Sequence, residues 1–226
     1  GADRVAMAEL RAGDHVLDSP TSSSRVAVTQ HRAPPLLTSP LVVLHHASGS
    51  LSLTPDHVLL TDAGYVAARH VAPGVALSGG ERVSRIEAAA GAVVNPVTVS
   101  GTILAAGPTG SPVVAATHPE WIAPWMLSSA LPLPCSLANA LSYAFPSATQ
   151  AFYDAHAEPL LAALLPSVQP LAALPPPLVA AIFAAADGCY ATAFVAAHGG
   201  AALLLAAAVA VGSWVYVGAR LVRAKQ

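Results

Sequence analysis

Hydrophobic residues in the first 105 positions come in short runs and not in stripes at helical spacing. The runs are rich in Val, Leu and Thr, and residues such as Gly, Pro, Ser and Asp separate them at intervals of about 8–12 residues. This pattern predicts an all-β domain over residues 1–105. We expect strands at residues 25–29, 41–44, 51–53, 58–60, 65–67, 82–86, 96–99 and 101–104.

Two of the separating segments have the composition of hairpin turns. Residues 47–50 read Ala-Ser-Gly-Ser and residues 61–64 read Thr-Asp-Ala-Gly, and each segment lies between two of the predicted strands. Small and turn-forming residues of this kind favour a reversal of the chain. The sequence therefore predicts two β-hairpins in the middle of the domain.

The balance of hydrophobic and charged residues changes after about residue 120. The chain as a whole is 54% hydrophobic and only 10% charged, against roughly 25% charged in a typical soluble domain. Of its 22 charged residues (10 basic and 12 acidic), 16 lie within residues 1–120. We expect the first part to be water-soluble, and some of the rest to face lipid or a large partner.

Charge and cysteine content narrow the classes of function. The formal net charge is -2 and no basic stripe is present, so we expect no nucleic-acid partner. Cys135 and Cys189 are too few for a disulfide framework and lack metal-ligand spacing. His118 and Glu120 are only loosely spaced for a metal. We assign no metal and no cofactor.

Residues 199–219 form an uncharged run long enough to cross a membrane. As a helix, these 21 residues would span roughly 30 Å. Arg220, Arg223 and Lys225 follow directly. Because basic residues bias the end of a span to the cytoplasm, we expect a transmembrane helix at 199–219, a cytoplasmic tail at 220–226 and a lumenal or extracellular β domain. An Ala-rich buried helix remains the alternative.

The region between the β domain and this span is rich in Pro and Ala. Residues 159–186 carry no charge, but six prolines interrupt them and would break a long helix repeatedly. We interpret residues 159–186 as an irregular linker or short lipid-facing helices. The whole region 131–198 is accordingly predicted to be an apolar linker or a membrane-associated segment.

Four short motifs, in order, resemble one known family. They are Val5-Ala6-Met7 with Leu10-Arg11-Ala12-Gly13-Asp14, then Thr54-Pro55-Asp56-His57, then Arg69-His70-Val71-Ala72-Pro73-Gly74, and last Asn95-Pro96-Val97-Thr98 through Gly101-Thr102-Ile103. Together they are similar to the Hint domain, the self-cleaving module of inteins and hedgehog proteins. The last motif resembles the hedgehog-like (Hog) branch. The resemblance covers roughly residues 1–130.

The resemblance implies a self-cleavage chemistry. In the family, an N-terminal Cys attacks the carbonyl of the residue before it in an N-to-S acyl shift, and a second nucleophile then releases the upstream segment. The His of the Thr-x-x-His motif donates a proton to the leaving amine, and the Thr helps hold the amide. Carried over, His57 is the general acid and Thr54 its partner, and the protein's own upstream segment is the substrate.

The chain departs from the family at its start. None of Gly1, Ala2, Asp3 and Arg4 is a Cys, Ser or Thr. We expect the nucleophilic Cys just upstream of this sequence, and processing in the secretory pathway or at the cell surface. The alternative is a catalytically inactive Hint remnant that acts as a membrane-tethered structural or interaction module.

A second departure concerns the molecule that accepts the acyl group. In animal hedgehog proteins an Asp ahead of the Thr-x-x-His motif activates the hydroxyl of cholesterol, and His31 stands at the matching position here. A His can act as a base near neutral pH, or it can form a hydrogen bond within the barrel. The acceptor could be a sterol, another lipid hydroxyl or water.

Overall fold

The structure is a computed structural model that describes residues 4–31, 38–127 and 136–199. Ten strands lie in the first two of these ranges. They are β1 (His15–Leu17), β2 (Ser23–Gln30), β3 (Thr38–His46), β4 (Gly49–Leu53), β5 (His57–Thr61), β6 (Gly64–Ala67), β7 (Val83–Ala92), β8 (Asn95–Thr98), β9 (Thr102–Ala105) and β10 (Val113–Pro119). Short 3-10 helices occur at Met7–Glu9 and Ala68–His70.

The strands form three antiparallel sheets, ordered β1-β2-β8, β6-β5-β10-β9 and β4-β3-β7. Each predicted strand coincides with or overlaps an observed one, and both predicted hairpins are present, as β3–β4 and β5–β6. The turn of the second hairpin is tight, since Thr61 pairs directly with Gly64, whose φ is +99°. The all-β prediction for this part of the chain is confirmed.

The core of the β domain lies between the sheets and is built from alternate strand residues. Leu44, Leu59 and Val113 are each 0% exposed. Burial of such side chains is the main stabilising contribution, at about 25 cal/mol per Å² of apolar area. The same cluster includes Leu10, Leu51, Leu53, Ala68, Val71, Leu77, Val83, Ile103, Ala105 and Ala115.

Strand β10 carries the core beyond residue 105, where the sequence placed its end. It lies between β5 and β9, and the register pairs Ala115 with both Leu59 and Ile103. Its residues Val113 to Thr117 are all buried. A strand buried on both faces is a continuous apolar run without alternation. The alternation of polar and apolar residues therefore did not indicate β10.

Helices make up the described chain from residue 136 onward. They are α2 (Ser136–Ala144), α3 (Pro146–Phe152), a π-helical turn (Tyr153–Ala157), α4 (Glu158–Val168), a 3-10 helix (Gln169–Ala173) and α5 (Pro176–His198). They follow the short α1 (Ala123–Met126) after β10. Several prolines occupy first-turn positions of these helices, where proline is tolerated, and Pro166 lies inside α4.

These helices form a helical layer, and residues 159–186 lie mostly in α4 and α5, so of the two alternatives the structure has helices and not an irregular linker. Leu141, Phe152, Phe194 and Val195 form an apolar cluster of their own. Asp187 of α5 accepts hydrogen bonds from the backbone N–H groups of Leu137 and Ala138 at the start of α2, both at 2.8 Å. The second alternative, helices, is what the structure has; contact with lipid stays a prediction.

The predicted span at 199–219 and the basic tail at 220–226 lie outside the described residues, apart from Gly199. Among the described residues, helix α5 is long and apolar enough to cross a membrane, judged by length and composition only, with a mean hydropathy of 1.8. Only 22% of its most apolar window is buried. On α4 and α5 the exposed apolar residues are Leu160, Leu161, Leu164, Leu165, Leu178 and Ile182.

The helical layer covers an open edge of β2. Strand β1 pairs only with residues 23–25, which leaves the rest of that edge without a strand partner. Ser142 donates from its hydroxyl to the carbonyl of Ala27 at 2.7 Å. The Gln150 amide accepts from the N–H of Thr29 and donates to its carbonyl, both at 2.8 Å. Glu158 accepts from the N–H of His31 at 2.6 Å.

Three side chains from the helices therefore replace a missing strand. Ser142, Gln150 and Glu158 are spaced eight residues apart, and they bind alternate residues of the extended chain at positions 27, 29 and 31. Alternate residues of a strand direct their backbone groups to the same edge. An open edge is a site of unwanted pairing, and here the helices close it.

Candidate functional site

The turn between β4 and β5 brings Thr54 and His57 together. The N–H of His57 donates to the carbonyl of Thr54 at 3.0 Å, which closes the turn. Thr54 Oγ1 also lies 3.0 Å from His57 Nδ1, in a side-chain hydrogen bond. The two residues that the Thr-x-x-His motif singles out are thus in direct contact at the start of β5.

The environment of His57 favours its neutral form. Burial lowers the pKa of His57 below its ordinary value of 6.5, and the charge of His31 lowers that pKa further. A hydrogen bond with the Asn95 side chain and the charge of Asp56 act in the opposite direction. A histidine whose pKa lies below its ordinary value is neutral near pH 7, so it is able to accept a proton and to pass it on.

A third histidine, His118, lies next to His57. It belongs to the end of β10, where the register shifts between Ala115 and Pro119. Burial lowers the pKa of His118 to about 4, and the charge of His57 adds to this effect. Within the described part of the chain, its buried Nε2 has no hydrogen-bond partner. The neutral His118 ring therefore has one nitrogen, Nε2, that is available to donate or accept a hydrogen bond.

Gly101, in the turn between β8 and β9, lies next to the His118 ring. Its φ of +80° lies in the left-handed region that favours glycine, and a Cβ there would stand 3.5 Å from His118 Cδ2 and 3.2 Å from a Leu127 methyl. The Gly101 carbonyl accepts from the N–H of Thr117 at 2.8 Å. The β8–β9 turn and β10 thus hold His118 in place.

Asn95 links His57 to its surroundings. Its side-chain amide donates to Gln30 Oε1 at 2.7 Å and to the carbonyl of Thr117 at 3.1 Å. Gln30 Nε2 in turn donates to the hydroxyl of Tyr153 in the helical layer at 2.6 Å. A hydrogen-bonded series therefore runs from the helices through β2 and β8 to the histidine.

His31 stands directly after β2 and binds the helical layer. Its Nδ1 lies 3.0 Å from Glu158 Oε1, the same oxygen that accepts from its backbone N–H. Its φ is +61°, and among the described residues no other non-glycine residue has a positive φ. The sequence left open a hydrogen bond within the barrel, but the observed partner of His31 comes from α4.

Charged residues form a surface cluster on the outer side of the turn. The Arg69 guanidinium binds both Asp56 and Glu120, and His70 Nε2 lies 3.7 Å from Glu120. The N–H of Glu120 donates to the carbonyl of Asp56 at 2.8 Å. His118 and Glu120, which the sequence considered as loosely spaced metal ligands, thus have separate roles. In the described ranges, no group of three or more His, Cys, Asp or Glu side chains is arranged to hold a metal.

An apolar cavity lies on the other face of β5. It has a volume of about 510 Å³, and Val58, Tyr65, Val66, Ala123 and Leu127 are among its lining residues. Neither Thr54 nor His57 lines it. Neighbouring residues of a strand point to opposite faces, so Val58, which lines the cavity, and His57 lie on different faces of β5.

Sequence reasoning found Thr54, His57 and His31 but missed two residues of the site. Asn95 was seen only as the start of a motif, and His118 only as a loose metal ligand. The signal that would have found both is topological: β8 and β10 both reach the start of β5. The expected position of the N-terminus beside His57 concerns residues 1–3, which lie outside the described residues, and it stays a prediction.

Comparison with known proteins gives partial similarity to solved structures. No family model matches the chain, and no curated protein matches it. Among solved structures, the splicing domain of the Msm DnaB1 intein, crystallised with bound zinc, matches with a TM-score of 0.37 and 14% identity, covering 48% of this chain and 87% of that one. A TM-score this low does not assign a fold.

Proposed function

We propose that the β domain is a Hint-type autoprocessing domain of the hedgehog-like branch, which cleaves its own precursor. The observation that carries the proposal is the hydrogen bond between Thr54 and His57 in the order and spacing of the Thr-x-x-His motif. The gathering of Asn95 and His118 around the same imidazole supports it.

The first step is an N-to-S acyl shift at the junction with the upstream segment. The sulfur of a Cys just upstream attacks the carbonyl carbon of the residue before it, a C–S bond forms and the C–N bond breaks. The proton lost by the thiol ends on the released amine nitrogen, and His57 transfers it. Such a transfer contributes about 10²–10⁴-fold to the rate. Its lowered pKa suits this role, since a neutral ring is able to accept and return a proton.

The second step releases the upstream segment. An acceptor hydroxyl, from a sterol, another lipid or water, attacks the thioester carbonyl; a C–O bond forms and the C–S bond breaks. His31 takes the hydroxyl proton, and the Cys leaves as thiolate. Gln30, directly before His31, accepts a hydrogen bond from Asn95, the partner of His57, and this contact supports a place for His31 near the reacting atoms.

Membrane attachment is part of the same proposal. The uncharged run at 199–219, followed by Arg220, Arg223 and Lys225, supports a span with a cytoplasmic end and a lumenal or extracellular β domain. Protease protection on microsomes tests it. A protected β domain and a digested C-terminal tag are expected; the reverse pattern contradicts the orientation, and complete extraction by alkaline carbonate contradicts the span.

The test of the autoprocessing activity uses the full chain with a reporter protein that ends in Cys joined to Gly1. Two fragments are expected on a denaturing gel after addition of a thiol or hydroxylamine. His57→Ala should lower the cleavage rate at least 100-fold, in line with general acid–base catalysis. His15→Ala, an exposed histidine of β1, is the matched control and should cleave at the unaltered rate.

The same experiment separates the competing proposal, an inactive Hint remnant that serves as a membrane-tethered structural or interaction module. An intact precursor after thiol treatment, with the chain folded, would favour the inactive module. Cleavage that His57→Ala leaves unchanged would contradict the assignment of His57.

A further inference from the structure

We infer that Glu158 is a positioning residue that holds the His31 ring toward the reaction site, so that the helical layer completes the site of the β domain. The inference rests on the proposed function for the role of His31. It goes beyond that function in assigning a part of the machinery to α4, outside the segment that resembles the Hint domain.

Glu158 contacts both the backbone and the ring of His31. One carboxylate oxygen, Oε1 of Glu158, accepts from the backbone N–H of His31 at 2.6 Å and lies 3.0 Å from its ring Nδ1. The Glu158 side chain is 18% exposed, whereas that of His31 is 46% exposed. A largely covered carboxylate thus fixes both the backbone and the ring of a residue that otherwise faces solvent.

The backbone of His31 shows that this arrangement is imposed by its partners. A φ of +61° is uncommon for a residue with a side chain, and it costs free energy unless the surroundings hold it. Glu158 supplies the interaction that holds this conformation. The turn in the chain after β2 then directs His31 to the helical side of the site.

The contact also sets which ring nitrogen carries the proton. When Nδ1–H donates to the Glu158 carboxylate, the Nε2 of a neutral His31 is left unprotonated and able to accept a proton. Among the described residues, this Nε2 has no hydrogen-bond partner. Gln30, the residue before His31, accepts from the Asn95 side chain at 2.7 Å, and Asn95 also binds His57, so His31 follows directly on a residue that contacts the partner of His57.

The position of Glu158 is itself fixed by the helical layer. Gln150 binds the backbone of Thr29, two residues before His31, and Tyr153 binds Gln30, one residue before it. Glu158 follows at the start of α4, one step further along the same edge. The carboxylate therefore reaches His31 through an anchored helix and not through a free side chain on the surface.

The first arm of the test needs no cleavage and uses the full chain labelled with 15N in its histidine rings. In the wild type, the His31 ring should appear as the Nδ1–H tautomer when neutral. Glu158→Ala removes the acceptor and should shift His31 toward the Nε2–H tautomer common in solvent. Glu158→Asp should restore part of the wild-type signal. Ser142→Ala, which removes a different contact of the same layer with β2, should leave the His31 signal unchanged.

The second arm measures the two steps separately in the chain with the reporter and Cys joined to Gly1. Glu158→Ala should slow release by the acceptor hydroxyl about tenfold, a part of the 10²–10⁴-fold that a base contributes. Cleavage by added thiol, which reports only thioester formation, should change less than about twofold.

The outcomes separate the two proposals. An unaltered His31 tautomer in Glu158→Ala overturns the inference, and so does an equal loss of both steps, which would indicate a purely structural role. A wild-type chain that forms no thioester contradicts the proposed function instead. In that case the 15N spectra of the His31 ring are the measurement that tests whether Glu158 positions it. Thermal unfolding of each variant is the control that tests whether the chain remains folded.

Discussion

The hydroxyl of Thr54 and the Nδ1 of His57 lie 3.0 Å apart, within one turn of four residues. When the hydroxyl donates, the proton of the neutral ring sits on Nε2, the nitrogen that points away from the turn. The threonine therefore selects a tautomer and an orientation as well as a place. A hydroxyl is required for this, whereas the methyl group is not.

The role of Thr54 is tested by a pair of substitutions. Thr54→Val keeps the shape but removes the hydroxyl, so thioester formation should slow about tenfold or more, since the ring loses part of its contribution to catalysis. Thr54→Ser should stay within about threefold of the wild type. Cleavage by added thiol over time measures both. Equal rates for the two variants would show that the hydroxyl has no role.

Burial of His118 predicts that the protein loses stability in acid. Its pKa is about 4 in the folded chain and near the ordinary 6.5 when unfolded. Between these values the unfolded chain binds a proton that the folded chain does not. Stability therefore falls as pH decreases from 6.5 to 4, at up to about 1.4 kcal/mol per pH unit, or about 3 kcal/mol in all.

Chemical denaturation at pH 7 and at pH 4.5 measures this effect. His118→Asn removes the titrating group, so the loss of stability between the two pH values should shrink. His57 has a lowered pKa as well and should keep part of the acid dependence. His15→Asn, at an exposed position, is the control and should leave the difference unchanged. An undiminished difference in His118→Asn would contradict the assignment.

Eight of the ten described strands were predictable from the sequence because turn residues bound them; β1, with three residues, and β10, with both faces buried, were not. The β5–β6 hairpin is an example: Thr61 and Gly64 bracket the turn, and both flanking runs were recognised. Thr54 and His57 could be found because they are close in sequence. Asn95 and His118 could not, since only the pairing of distant strands brings them to His57.

The helical layer was misread for a different reason. The prolines of residues 159–186 were counted as helix breakers, but Pro159 and Pro176 lie in first turns, where the missing N–H has no partner to lose. Asp187 was counted only as a charge, whereas it caps α2. Such roles depend on which element each residue meets, and local composition does not carry that information.

Gly49, the first residue of β4, lies against the backbone of Thr109 and Gly110, so we expect position 49 to require glycine. A Cβ on Gly49 would lie 2.0 Å from the carbonyl oxygen of Thr109, so the backbone would have to move. Gly49→Ala should destabilise the domain by about 1–3 kcal/mol, the usual range for overpacking. Gly91→Ala on β7 meets only a Leu41 methyl at 3.0 Å and should cost less. Equal midpoints in urea would contradict the prediction.

The last prediction concerns how firmly the helical layer is held on β2. Thr29 is 0% exposed, and its backbone N–H and carbonyl both face the open edge of β2, away from β8. Gln150 satisfies both backbone groups of Thr29, so Gln150→Ala should leave a buried donor and acceptor unpaired. At about 1–3 kcal/mol per unsatisfied group, two such groups should lower the unfolding free energy by about 2–6 kcal/mol. Gln169→Ala, at an exposed glutamine of the same layer, is the matched control and should change it by less than about 0.5 kcal/mol. Urea denaturation compares the two, and faster hydrogen exchange at the Thr29 amide should accompany the loss. If both variants unfold at the same urea concentration, the helices are held on β2 by their apolar cluster and not by this amide clamp.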